Sequence, residues 1–408
     1  MLKSKIMKFK SIIIFILLAF LSHQISYGQE KDKICLCKPL KETKENDAKV
    51  IEMAEYIENS FHELETKGFN EKFHVKSFIN NITDNQDIDM EDQYTIGFMK
   101  GIEDTGKTLS QKIVNSIDAG EYYNLINYHY SIEDMTYYFT FRMFSEASGV
   151  NYHDYKVCSD GEDIKFNDIY VYLTGEEISL TFQRLFLLSK PSNKILSKVF
   201  GFNSGEDLYT LVEAKKLAEK GDYKGAYEKI SEIKGAFGKE KFTLILRASY
   251  ASSFNDKLYE EVLAEFAELY PKDPTLYLKL VDYYLLKGKY NLALVNVDKL
   301  IFETNDDFLN LIKGNIYLLK EEFKNAEKNF EYMTVNYPDL LEGYVGHMVS
   351  LNYQNRFEDT LSIVKNLLEQ GYDKEALLEF IEEKDIEGHN ALEAFVNSKV
   401  YQEWKRNS

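Results

Sequence analysis

Four segments in the second half of the chain, KGDYKGAYEKI, KGKYNLALVNV, KEEFKNAEKNF and QNRFEDTLSIV, share one pattern: an aromatic residue followed three positions later by a small one. The pairs are Tyr223/Ala226, Tyr290/Ala293, Phe323/Ala326 and Phe357/Thr360; the last three stand 33 and 34 residues apart, and the 67-residue gap after the first leaves room for one degenerate copy around Tyr259. A period of this length with helical apolar spacing predicts helix-turn-helix hairpins. No such hairpin buries its apolar face alone, so neighbours must stack. The small residue lets two helices approach, and the aromatic fills the turn.

These segments resemble tetratricopeptide repeats over about residues 207–374, with Pro271 and Pro338 each 12 residues after Tyr259 and Ala326, where that pattern often closes its second helix. The match is incomplete, because Tyr259 and Thr360 replace the small residue and no first-helix tryptophan occurs. The resemblance implies about five repeats forming an all-α solenoid, with first helices lining a concave groove that receives a protein or peptide. It places Lys215, Ala248, Asp282, Asn315 and Val349 toward that groove, and the polar Lys215, Asp282 and Asn315 are candidate partner contacts. Beyond it, residues 375–408 carry Phe395, Tyr401 and Trp404 on one helical stripe, suited to cap the last hairpin.

Residues 44–200 read differently, as an α+β domain after an N-terminal extension, 29–43. Val50, Ile51, Ala54, Ile57 and Phe61 recur at helical spacing; a second helix follows Phe69, and a third runs over 96–117. Alternating, tyrosine-rich stretches at 121–132, 134–144, 151–158 and 163–173 then predict an antiparallel meander, closed by a helix over 177–190. This order of helices and curved sheet is similar in outline to nuclear-transport-factor-2-like cones, which often enclose a pocket. Residues 201–207 read as a linker.

The first 28 residues have a lysine-rich start, an apolar run from Ile12 to Leu21 and small residues before Gln29, the pattern of a secretory signal peptide. Lys31 to Lys33 precede Cys35, so no lipid-attachment cysteine ends the apolar run. The chain is therefore expected in the periplasm or secreted medium, without a membrane-spanning segment once the leader is removed. Losing the leader's four lysines takes the net charge from −18 to −22, which repels nucleic acid phosphates. The three cysteines are Cys35, Cys37 and Cys158; either Cys35 or Cys37 is a candidate to bond Cys158 in an oxidising compartment. A metal site lacks companion ligands, and no cofactor is indicated.

A catalytic reading of the sheet centres on His153. If Asp160-Gly161 forms the hairpin turn, residue numbers sum to 321 across it, so His153 faces Asp168 on the inward face near Tyr155 and Tyr170, while Asp154 points away with Lys156 and Lys165. That arrangement suits a general base or small-ligand pocket, yet no nucleophile or oxyanion element accompanies it, and no catalytic residue is assigned. GIEDTGKTL lacks P-loop spacing, and YIENSFHELE is not HExxH. The reading that follows is a non-enzymatic scaffold binding a protein or peptide partner; the alternative makes the α+β domain a ligand-binding or acid–base module with the repeats as a docking arm. A stoichiometric envelope component is a third possibility.

Overall fold

The computed structural model describes residues 36–83, 91–103, 105–145, 149–161, 163–189, 205–271, 273–384 and 388–407. The expected leader, Cys35 and most of the expected linker lie outside them. The fold is an N-terminal antiparallel sheet with helices, followed by a succession of helices, and it divides into compact units at Leu276/Tyr277.

The first unit begins with β1 (Lys38–Pro39), followed by α1 (Lys44–His62), α2 (Lys67–Lys72), α3 (Val75–Thr83), α4 (Gln93–Glu103) and α5 (Thr105–Asp118). The expected third helix falls on α4 and α5, which lie on either side of residue 104. Thr43 caps α1, its side chain accepting the Asn46 amide, and Val50, Ala54, Ile57 and Phe61 are buried as their spacing predicted. The meander follows as β2 (Tyr122–Ser131), β3 (Thr136–Ser145), β4 (Gly149–Asp160), β5 (Asp163–Val171) and the short β6 (Glu176–Glu177), in sequential order, with β1 antiparallel to β4. Helix α6 (Ile178–Ser189) closes it. One face of the sheet carries Phe139, Phe141, Tyr155 and Phe166, all fully buried. Phe69 of α2 meets Tyr155 and Phe166 edge-on at 6.1 and 4.9 Å, an arrangement that satisfies the ring quadrupoles while filling the layer. A disulfide joins Cys37 to Cys158, 121 residues apart, and holds β1 on β4.

Four hairpin helices complete this unit: α7 (Gly205–Glu219) with α8 (Tyr223–Ile230), then, after the single turn α9 (Gly235–Gly238), α10 (Lys241–Ser252) with α11 (Asp256–Leu269). Helix α12 (Pro274–Leu286) crosses the division between units. In the second unit follow α13 (Tyr290–Thr304), α14 (Asn310–Leu319), α15 (Phe323–Asn336), α16 (Leu341–Tyr353) and α17 (Phe357–Glu369), then α18 (Lys374–Glu382), α19 (Glu393–Val396) and α20 (Lys399–Asn407).

The repeat pattern is a pattern of helix starts. Tyr223, Tyr290, Phe323 and Phe357 each open a helix, and Ala226, Ala293, Ala326 and Thr360 are fully buried. Phe330 on α15 fills the space beside Gly314 on α14 and Gly346 on α16; a Cβ at Gly314 would lie 2.8 Å from its ring, and one at Gly346 would overlap it. At the C-terminal end Phe395 and Tyr401 are fully buried against Val364 and Leu367 of α17. Asn352 of α16 fastens this cover: its amide donates to the Ala391 carbonyl at 2.9 Å, and its oxygen accepts the Phe395 N–H at 2.8 Å.

Gly346→Ala is expected to cost about 3 kcal/mol through overpacking at Phe330, read as a lower urea midpoint. Cys158→Ala should lower the stability of the first unit by roughly 5 kcal/mol, the scale for a loop of this length, and reducing agent should have no further effect on that variant.

Candidate functional site

His153 lies on the helix-covered face of β4 with Tyr155 and Val157, since alternate strand residues share a face. The hydrogen bonds around it determine its tautomer by elimination. Asn151 accepts the Leu173 N–H through Oδ1 at 2.9 Å, so its Nδ2 donates to His153 Nε2 at 3.1 Å. An accepting Nε2 leaves the ring proton on Nδ1, which donates to the Tyr123 hydroxyl at 2.9 Å. Tyr123 in turn donates to the Tyr155 hydroxyl at 2.8 Å. Burial holds the imidazole down, to about 4, and the same desolvation raises both tyrosines. His153 is therefore a neutral relay at physiological pH, with both nitrogens engaged.

The expected His153–Asp168 pair does not form. Asp160 pairs with Asp163, so the turn falls one residue later than Asp160-Gly161, and a bulge between Lys156 and Val157 shifts the register again: His153 faces Val171, and Asp168 faces Lys156. The extra residue flips Asp168 to the opposite face. Tyr170 goes with it, opposite Asp154, and Asp154, expected to face solvent, is 8% exposed. Electrostatics favour the observed register: in place of two opposed lysines, Lys156 meets a carboxylate, and Lys165 reaches Asp160 at 3.6 Å. Of the four expected pocket residues, only His153 and Tyr155 share a network.

The other face carries the titratable groups. Asp168 accepts the Ile169 and Ser179 amides at 2.9 and 3.1 Å and the Asn81 side chain at 3.2 Å, so it holds the N-terminus of α6. Burial first, and Glu177 second, still raise its carboxyl to about 7. Lys156 stands 3.0 Å from Asp134 and 3.6 Å from Glu177. Asp154 accepts the Thr140 hydroxyl at 2.7 Å and is raised by burial. Alternation placed Asn151 on the histidine's face without naming it a partner and gave no sign of Tyr123, which comes from β2; Lys156 was missed as the carboxylates' counter-ion because the bulge decides which β5 side chain it meets.

Of the five positions expected to face a groove, few are open. Lys215 reaches Glu219 at 3.7 Å along its own helix. Burial pushes the Asp282 carboxyl up to about 6, against the attraction of Lys279 one turn away. Ala248 and Val349 are buried, whereas Asn315 is half-buried on α14 and its side chain makes no hydrogen bond among the described residues. In the first unit the sheet itself covers α10 and the start of α12. Tyr170 is 3.3 Å from both Asp273 and Thr275; Lys241 donates to Asp273 at 2.7 Å. Gly175, at φ 69°, is close enough to Ile245 that a Cβ there would lie 2.8 Å from it. Arg184 of α6 pairs with Glu176 and, at 2.8 Å, with Glu240.

Lys107 and Thr108 of the Gly-Lys-Thr stretch lie on α5, and His62 is exposed at the end of α1, within 3.2 Å of the Tyr123 carbonyl. Among the described residues no group of three or more His, Cys, Asp and Glu side chains is arranged to hold a metal, and no helix is long and apolar enough to cross a membrane. No family model matches the sequence, and comparison with curated proteins finds no match.

The low folded-state pKa of His153 predicts a pH-dependent stability. Unfolded, the imidazole binds its proton near the ordinary value of about 6.5; folded, it does so only near 4. Its contribution is thus complete above about 6.5 and lost as pH falls toward 4, on the order of 3 kcal/mol in total. Asp168, raised to about 7, acts in the opposite sense, its contribution being lost as pH rises from its ordinary value of about 4 to about 7. The comparison with His153→Gln isolates the histidine: urea midpoints should show wild type losing ground to the variant between pH 6.5 and 4, and a pH-independent offset would remove the assignment.

Proposed function

We propose that the chain is an exported protein-interaction scaffold of the tetratricopeptide-repeat kind, in which helical hairpins of the second unit receive a protein or peptide partner. The observation that carries this reading is the run of hairpins whose second helices open on Tyr290, Phe323 and Phe357, a stacked architecture that offers neighbouring first helices as one surface. Export draws on the leader pattern and accords with the Cys37–Cys158 disulfide, a bond that persists in oxidising compartments. The sheet's histidine is held neutral by burial with both nitrogens hydrogen-bonded, which supports a structural rather than catalytic role. Since the sheet covers Ile245 and Thr275 in the first unit, partner contact falls to later hairpins, with Asn315 as the candidate residue.

The alternative, an acid–base or ligand-binding module, draws on Asp168, whose carboxyl is raised to about 7 beside Lys156 and Glu177. Affinity capture from the native envelope separates the two. The scaffold reading expects one partner recovered stoichiometrically, at least tenfold less with Asn315→Arg and undiminished with Asp168→Asn. The reverse pattern would move recognition to the sheet.

A further inference from the structure

Helix α13 buries Ala293, Leu294, Val297 and Leu300 but turns a second apolar stripe to water. Leu292, Val295 and Phe302 are 44, 49 and 85% exposed. With Lys299 they fall at intervals of three, four and three residues, the a and d positions of a heptad. A shallow cavity on this face is lined by Val295, Asp298, Lys299, Phe302 and Glu303. The first four stand at i, i+3, i+4 and i+7, the four-residue hole that receives a single knob from a facing helix.

We infer that this face pairs with α13 of a second copy of the chain, antiparallel about a two-fold axis near Val297. The charge pattern selects both occupant and direction. Parallel pairing in register would oppose Lys299 to its own copy and set Asp298 against Glu303 of the second chain, a like-charge contact repeated on both flanks. Antiparallel pairing sets Leu292 opposite Phe302 of the second copy at each end and places Val295 over the hole formed by Val295, Asp298, Lys299 and Phe302. It also brings Glu303, exposed and without an ion pair among the described residues, alongside Lys289 of the second copy, twice by symmetry. The two Asp298 carboxylates approach near the axis; each is bound by Lys313 of its own chain at 2.8 Å and lies beside Lys299 of the other. One helix pair buries less than the roughly 800 Å² per partner of a standard interface, so the dimer is weak and reversible.

Sedimentation velocity over a concentration series tests this on the exported chain. A monomer–dimer equilibrium is expected, weakened at least tenfold by Phe302→Asp and by Glu303→Lys. Combining Glu303→Lys with Lys289→Glu should restore association to within about twofold, because the symmetric pair is reversed rather than broken. All three positions are on the surface, and circular dichroism verifies that each variant is folded. A chain that stays monomeric at several hundred micromolar, a dimer indifferent to Phe302→Asp, or a double variant no better than the single one would each overturn the inference. So would a monomeric chain using this face for a different protein or a lipid surface.

Discussion

A helical hairpin has an apolar side that its own two helices cannot cover, and the whole arrangement follows from that deficit. In the second unit each hairpin supplies what its neighbour lacks: Phe330 enters the space left by the glycines of α14 and α16. The final hairpin borrows from outside the repeat, through Phe395, Tyr401 and the Asn352 hydrogen bonds. In the first unit the sheet performs the equivalent service for α10 through Tyr170, Gly175 and the ion pairs of Arg184. A sheet with one aromatic face under α1 and α2 and buried carboxylates on the other is the result of being covered from two sides.

Much of this was legible from the residues. Aromatic-to-small spacing located the second-helix starts, because those residues are selected by close helix approach, a local and repeated requirement. Strand alternation placed His153 and Tyr155 on the covered face for the same reason. The register between β4 and β5 was not legible. It depends on which turn closes the hairpin and on one bulged residue, and the energies separating such alternatives arise from charges meeting across strands, such as Lys156 with Asp168.

The polar interior divides by chemistry. His153 gives up its charge to gain hydrogen bonds at both nitrogens, and Asp168 gains three donors at the cost of a raised pKa. Either group alone looks like machinery for proton transfer. They stand on opposite faces of one strand pair, His153 bonded into the aromatic layer and Asp168 to the start of α6.

The bond between Cys37 and Cys158 has a temporal meaning as well as a mechanical one. Strand β1 has two residues and pairs only with the end of β4, too little ladder to hold by itself. Its seat also needs Thr136, which accepts the Leu40 amide while donating to the Val157 carbonyl, so the meander must exist before the extension can dock. Thiol oxidation then works as a latch that closes last, and only where the surroundings are oxidising. Until it closes, the amino-terminal segment leading into α1 is held to the sheet by that short ladder and by the hydrogen bonds of Leu40 to Thr136 and Thr43 to Tyr137.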